Sequence, residues 1–98
     1  MEKRSPHCKL TEVKALVATG KVRTTHSARM GAQALGLSFT EMLEVVLALT
    51  KEDFYKSMTT HSDQTVWQDV YRTSTVVGNV YLKLTVLNDV LVVSFKEL

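Results

Sequence analysis

The spacing of apolar residues changes partway along the chain and divides it into two parts. In the first part apolar residues recur every three or four positions, as at Leu10, Val13 and Val17, which is the period of an amphipathic helix. From Asp53 onward apolar and polar residues tend to alternate, which is the period of a half-buried strand. The pattern therefore predicts helices followed by a sheet, which is an α+β layout.

Capping residues and glycines delimit the first two helices. Ser5-Pro6 places a capping hydroxyl before a proline at the first helical position, so it predicts the start of a helix that Gly20 ends. After a short link, Thr24-Thr25 offers a cap for a second helix that ends at Gly36. Gly31 lies inside this second helix and lowers its intrinsic helix propensity.

A third helix and four strands complete the predicted elements. Ser38 and Glu41 have the spacing of a capping box, and the helix that follows is apolar on most sides and should be the most buried. The predicted strands cover residues 54–60, 65–72, 76–87 and 90–96. The expected fold is one domain of residues 1–98, with three N-terminal helices packed on one face of a twisted antiparallel sheet.

The last two strands can be placed in register from the sequence. If Asn88-Asp89 is a two-residue turn, the helix-facing side receives six apolar residues: Leu82, Leu84, Val86, Leu91, Val93 and Phe95. The open side then places Tyr81 opposite Lys96, with Lys83 two residues further along. One sheet face is therefore expected to be apolar, and the other to carry a phenol beside ammonium groups.

The register of the strand at residues 65–72 stays open at this point. Alternation puts Gln68 and Trp67 on opposite sides of the strand. A four-residue link at 73–76 would set Gln68 opposite Tyr81. A link one residue shorter or longer would set Trp67 or Asp69 there instead.

Composition narrows the class of protein. The chain has 98 residues, a net charge of +2 and one cysteine, which excludes a disulfide framework and a cysteine zinc site. Residues 1–36 carry seven basic and two acidic residues, a charge that can attract phosphate. No apolar run approaches membrane-spanning length, and no apolar stretch follows the basic N-terminal residues as in a secretory signal. We expect a cytoplasmic protein without a membrane association, metal or cofactor.

The residue types of the open face suit one metal-free reaction, the cleavage of RNA by its own 2′-hydroxyl. That reaction needs a base near the 2′-oxygen, an acid for the 5′-oxygen and cations around the phosphorane. A lysine or tyrosine whose pKa is lowered by neighbouring cations would serve as the base. Exposed Tyr55 or Trp67 would stack on a splayed RNA base. The residue pattern alone does not require this chemistry, because a solvated cationic face is the usual state of the open side of an antiparallel sheet.

Several segments resemble the MqsR family of bacterial toxins over the whole length of the chain. They are Met1–Arg4, Val22–Thr25, Asp53–Thr60, Trp67–Arg72, Val80–Lys83 and Val93–Lys96. The resemblance implies a RelE-like ribonuclease fold and an mRNA interferase, the toxin of a type II toxin–antitoxin pair that cuts mRNA at short GC-containing sites. It also implies a partner, an MqsA-like antitoxin with a zinc-binding part and a helix-turn-helix part that binds operator DNA.

The resemblance carries over Lys56, Gln68 and Tyr81 as catalytic residues. Lys56 would bind phosphate or transfer a proton, Tyr81 would donate or accept a proton, and Gln68 would orient the scissile group. This role for Gln68 favours the register in which it faces Tyr81. Four further residues are expected to bind RNA, partly as neighbours of these three: Tyr55, Met58, Arg72 and Lys96. The last turn departs from the family pattern, because Asn88 stands where the best-known member has a histidine.

Two other function classes remain compatible with the sequence. A non-catalytic RNA- or ribosome-binding module would use the same basic face and would bind RNA in a salt-sensitive manner without cutting it. A protein-interaction domain would pair an exposed strand edge with another chain. The sequence does not assign which residue is the acid and which is the base.

Overall fold

The computed structural model describes residues 1–98, in which three helices cover one face of a six-stranded sheet. The elements in chain order are β1 (Glu2–Lys3), α1 (Leu10–Ala18), β2 (Val22–Thr24), α2 (His26–Ala34), α3 (Phe39–Ala48), a 3-10 turn (Lys51–Asp53), β3 (Phe54–Thr59), β4 (Trp67–Thr75), β5 (Gly78–Val86) and β6 (Val90–Glu97). Fourteen buried side chains from the helices and the sheet form one core. None of the three helices combines the length and apolar character that a bilayer crossing requires.

The sheet has two strands more than the sequence pattern predicted. Its order is β1-β3-β4-β5-β6-β2, and every pair is antiparallel except β2 with β6, which is parallel. The prediction of an α+β fold is confirmed, whereas the prediction of a purely antiparallel sheet after the helices was wrong. β1 and β2 are two and three residues long, and strands that short show no alternation from which to predict them.

The first helix begins later than Ser5-Pro6 predicted. Helix α1 starts at Leu10, and its N-cap residue Lys9 makes no side-chain capping hydrogen bond. The backbone amides of His7 and Cys8 instead donate to the buried carboxylate of Asp69, at 2.9 and 3.0 Å. This carboxylate binds the segment before α1 across β4, so the segment cannot enter the helix.

The other predicted helix ends are confirmed. The Thr25 hydroxyl accepts a hydrogen bond from the Ala28 amide at 3.0 Å and caps α2. Ser38 and Glu41 form the predicted capping box at the start of α3. Gly20 has a φ of 81°, a left-handed conformation that suits the residue after a helix end.

The predicted register of β5 and β6 is correct over one half of the pair. Leu82 lies opposite Phe95, and Tyr81 lies opposite Lys96, as expected. Beyond Lys83 a β-bulge shifts the pairing, so that Leu84 lies opposite Val92 instead of Val93. Because a one-residue shift exchanges the two faces, the core contains Val90 and Val92 in place of the predicted Leu91 and Val93.

The register of β4 and β5 differs from the one favoured for Gln68. Residues Thr73–Thr75 continue β4, and Val76-Val77 alone forms the turn, with Gly78 at a φ of 109° directly after it. Arg72, and not Gln68, therefore lies opposite Tyr81. The β-branched residues at this end of β4 prolong the strand because their side chains fit the pleated sheet well.

Candidate active site

The sheet face opposite the helices, called the open face below, carries a row of three charged or polar side chains. Arg72 on β4, Tyr81 on β5 and Lys96 on β6 lie directly opposite one another across the three strands. The Lys96 ammonium lies 5.3 Å from the centre of the Tyr81 ring. Arg72 and Lys96 are exposed, so this row presents a phenol between two accessible cations.

A second row lies next to the first on the same face. Lys56 on β3, Val70 on β4 and Lys83 on β5 are cross-strand neighbours. The Lys83 ammonium lies 6.0 Å from the centre of the Tyr81 ring. Val70 is fully buried although it belongs to the open face, which indicates that the apolar stems of the long side chains around it cover it. The second row therefore adds two ammonium groups beside the phenol.

A β-bulge between Phe54 and Lys56 turns Tyr55 towards these rows. The Arg72 guanidinium lies 3.9 Å from the centre of the Tyr55 ring, and the Lys56 ammonium lies 5.4 Å from it. Arg4 approaches the same ring at 5.7 Å. The Tyr55 ring is thus held among three cations, which are attracted to its face by cation–π interactions.

Met58 and Gln68 lie opposite each other one row beyond Lys56. They share the open face with the other predicted site residues. Gln68 is four residues from Arg72 along β4, which is about 13 Å in an extended strand. The structure therefore brings Lys56, Tyr55, Arg72 and Lys96 around Tyr81 but leaves Met58 and Gln68 at the far side of the face.

Lys56 forms an ion pair that the sequence did not predict. Its ammonium donates a hydrogen bond to the carboxylate of Glu2 on β1 at 2.6 Å. This hydrogen bond raises the pKa of Lys56 and lowers the pKa of Glu2. The expectation that neighbouring cations lower the pKa of a lysine base is wrong for Lys56, because its nearest partner is an anion.

Trp67 does not belong to the open face. Its ring stacks on the His7 ring on the helix side of the sheet, with centroids 5.4 Å apart and an interplanar angle of 16°. The Lys3 ammonium lies 4.2 Å from the centre of the indole ring. Of the two aromatic residues considered for base stacking, only Tyr55 is therefore beside the cationic rows.

Three residues of the open face were absent from the predicted site, namely Lys83, Arg4 and Glu2. Lys83 could have been included, because it follows Tyr81 by two residues and alternation places both on the same face. Arg4 and Glu2 precede the first helix, and no local pattern predicts that this segment pairs with β3. The site is thus predictable within hairpins but not where distant segments meet.

Comparison with known proteins agrees with the resemblance noted in the sequence. The profile of the family described as "Motility quorum-sensing regulator, toxin of MqsA" matches residues 5–97. A curated protein of Escherichia coli (strain K12), the mRNA interferase toxin MqsR, is 61% identical over 97 residues, which covers 99% of each chain. Because both matches extend over nearly its full length, the chain belongs to the MqsR toxin family.

Proposed function

We propose that this chain is the toxin of a toxin–antitoxin pair and acts as an mRNA interferase, an endoribonuclease that cuts mRNA on the open face. The observation that carries the proposal is the row of Arg72, Tyr81 and Lys96, flanked by Lys56 and Lys83. Four cations around one phenol can bind a phosphate, whereas a sheet face that only contacts solvent needs no such cluster of positive charge. The name of the Escherichia coli relative, mRNA interferase toxin, supports the same activity.

The proposed reaction is attack of the ribose 2′-hydroxyl on the adjacent phosphate. Lys56 and Arg72 stabilise the negative charge of the phosphorane, with Arg72 able to bind two phosphoryl oxygens at once. Tyr81 lies between cations and protonates the departing 5′-oxygen. Lys96 holds the phosphate from the β6 side. The reaction leaves a 2′,3′-cyclic phosphate on one fragment and a 5′-hydroxyl on the other.

Gln68 has a different role in this scheme from the one the sequence suggested. Its distance of about 13 Å from the Tyr81 row places it beyond the scissile phosphate. Its amide carries both a donor and an acceptor, so it is suited to hydrogen-bond a base of a flanking nucleotide. We assign the preference for short GC-containing sites to this end of the face, where Met58 lies opposite Gln68. Gln68→Ala should change which sites are cut more than it changes the rate at the best site.

The proposal includes metal independence and an antitoxin partner. The positive charge that phosphoryl transfer needs is supplied by side chains of the open face, so cleavage should continue in the presence of a chelator. The family description, toxin of MqsA, supports an MqsA-like antitoxin. We propose that this antitoxin binds zinc and links the toxin to operator DNA through a helix-turn-helix part. We also propose that residues 1–98 form a RelE-like ribonuclease domain that acts in the cytoplasm.

The test is cleavage of an end-labelled RNA by the purified chain in EDTA. The expected result is cutting that leaves 2′,3′-cyclic phosphate ends. Lys56→Ala and Tyr81→Phe should each slow cleavage by at least about 100-fold, the usual contribution of a positioned acid or charge. Lys51→Ala, in the 3-10 turn, is the matched control for loss of a positive charge and should cut normally.

Two results would contradict the proposal. Undiminished cutting by both Lys56→Ala and Tyr81→Phe would end the assignment of the site. RNA that is bound in a salt-sensitive manner but stays intact would indicate the non-catalytic binding module. A chain that only pairs with another protein through a sheet edge would neither cut RNA nor bind it in a salt-sensitive manner, and that result would indicate the third class.

A further inference from the structure

One carboxylate of the open face, that of Glu2, is hydrogen-bonded to a cation of the two rows. Glu2 lies opposite Met58 in the pairing of β1 with β3, and its Oε1 accepts the hydrogen bond from Lys56 Nζ at 2.6 Å. The remaining charged residues of the two cationic rows are all basic: Lys56, Arg72, Lys83 and Lys96. A carboxylate at such a surface weakens RNA binding by repulsion, so its presence beside Lys56 calls for a chemical role.

The proposed cleavage requires a group that takes the proton from the 2′-hydroxyl. Lysine is an ammonium at neutral pH, and the hydrogen bond to Glu2 at 2.6 Å raises the pKa of Lys56 further, so Lys56 is a poor proton acceptor here. Glu2 is ionised under the same conditions and has lone pairs to accept a proton. The carboxylate and the ammonium together provide a proton acceptor and a phosphate-binding cation within one hydrogen bond of each other.

We infer that Glu2 is the general base of the proposed reaction, a role that rests on the proposed function. In the cleavage step the bond between O2′ and phosphorus forms while the bond between phosphorus and O5′ breaks. The 2′-hydroxyl proton moves to the Glu2 carboxylate, and the Tyr81 phenol gives its proton to O5′. Lys56 donates to a phosphoryl oxygen and holds Glu2 in place. After product release, solvent carries the proton from Glu2 to the Tyr81 phenolate.

The residues directly before and after Glu2 make contacts that hold it in place. Before it, the Met1 carbonyl oxygen accepts a hydrogen bond from the Thr59 amide at 2.9 Å. After it, the Lys3 ammonium lies 4.2 Å from the centre of the Trp67 ring. Further along, the Asp69 carboxylate binds the chain at the two amides that precede α1. A two-residue strand would not be stable alone, so these contacts fix the position of the carboxylate.

His61 is the rival for the role of base. It lies in the turn between β3 and β4 and lines a cavity of about 290 Å³ together with Glu2 and Met58. The Glu2 carboxylate, however, is hydrogen-bonded to Lys56 Nζ, whereas His61 makes no hydrogen bond or ion pair with Lys56. Glu2 therefore reaches the second row, next to the row that contains the phenol, through its contact with Lys56, whereas His61 lies in the turn beyond β3.

The experiment compares Glu2→Gln with the unmodified chain on a short RNA under single-turnover conditions. The glutamine keeps an oxygen for the Lys56 hydrogen bond but has no basicity. The expected result is a fall in the maximal rate of about 100-fold or more, with RNA affinity unchanged or tighter because an anion has been removed. The decline of the rate on the acid side of the pH profile should disappear as well. Glu44→Gln, on the exposed side of α3, and His61→Ala should cut at the normal rate.

A second substrate separates the base from the acid. In an RNA whose scissile 5′-oxygen is replaced by sulfur, the thiolate leaves without protonation. This substrate should restore cleavage by Tyr81→Phe but not by Glu2→Gln. A normal or increased rate for Glu2→Gln, or a loss confined to His61→Ala, would overturn the inference while leaving the ribonuclease proposal intact. Failure of the unmodified chain to cut either RNA would instead reject the proposed function, and the inference with it.

Discussion

Substitution of Gly31 by alanine tests how closely α2 packs on the sheet. Gly31 lies in the middle of α2, where alanine is intrinsically favoured over glycine by about 1 kcal/mol. A Cβ atom at this position would lie 1.7 Å from the carbonyl oxygen of Phe95 on β6, whereas real Cβ contacts are essentially never shorter than 3.0 Å. The higher helix propensity of alanine would stabilise the fold and the steric overlap would destabilise it. The sign of the change in the free energy of unfolding therefore shows which effect is larger.

The overlap is with backbone, and it cannot be relieved by rotating a side chain. Either α2 or β6 must move until the distance of 1.7 Å becomes at least 3.0 Å. Overpacking of this kind costs about 1–3 kcal/mol, and the upper end applies because a backbone atom is involved. After the gain in helix propensity, Gly31→Ala should lower the free energy of unfolding by about 2 kcal/mol. For a domain of this size that corresponds to a fall in Tm of about 8–16 °C.

Urea unfolding followed by circular dichroism measures the effect. Ala34→Gly, at the exposed last residue of the same helix, is the control and should cost no more than the interior propensity difference of about 1 kcal/mol. Because Lys96 follows Phe95 directly, Gly31→Ala should also slow RNA cleavage at temperatures where the variant is folded. A variant as stable as the unmodified chain, or more stable, would refute the close packing of α2 on β6.

Two further substitutions and one chemical modification test polar groups that are buried or partly buried. Asp69→Asn removes the negative charge of a carboxylate that accepts hydrogen bonds from two backbone amides and from the Ser57 hydroxyl. The free energy of unfolding in urea should fall by about 2–3 kcal/mol. An unchanged urea midpoint would contradict this role of Asp69. Tyr71→Phe removes a buried hydroxyl that has no hydrogen-bond partner. The free energy of unfolding in urea should therefore be unchanged or up to about 1 kcal/mol higher. A clear loss of stability would show that the hydroxyl is hydrogen-bonded. Burial and the Glu12 carboxylate raise the pKa of the Cys8 thiol from 9.0 to about 11. Iodoacetamide at pH 8 should therefore alkylate Cys8 about 100-fold more slowly in the folded chain than in the urea-unfolded chain. Equal alkylation rates would contradict the raised pKa.

The features that the sequence predicted correctly are those set by neighbours along the chain. The capping box of Ser38 and Glu41 needs residues only three positions apart. The pairing of Tyr81 with Lys96 depends on one hairpin and on the burial of the apolar residues that alternate with them. Local geometry therefore sufficed for the Tyr81–Lys96 half of the candidate site.

The features that the sequence missed depend on turn geometry and on long-range contacts. The residue types of Thr73–Thr75 are compatible with a turn and with the end of a strand. The turn was predicted, and it placed Gln68 opposite Tyr81, whereas in the structure these residues extend β4 and Gln68 lies far from Tyr81. The bulge beyond Lys83 exchanged the faces of Leu91 and Val93, and alternation alone does not reveal a bulge. Glu2 joins the site through a pairing with β3 more than 50 residues away in the chain.

The central claim is that RNA binds to the open face of the sheet. An RNA oligonucleotide with 2′-O-methyl groups lacks the attacking hydroxyl, so it should bind without being cut. Titration of the isotope-labelled chain with this RNA, followed by NMR, should shift the signals of Tyr55, Lys56, Arg72, Tyr81 and Lys96 and leave those of α1 and α3 unchanged. Shifts confined to the helices, with the signals of the open face unmoved, would contradict the account.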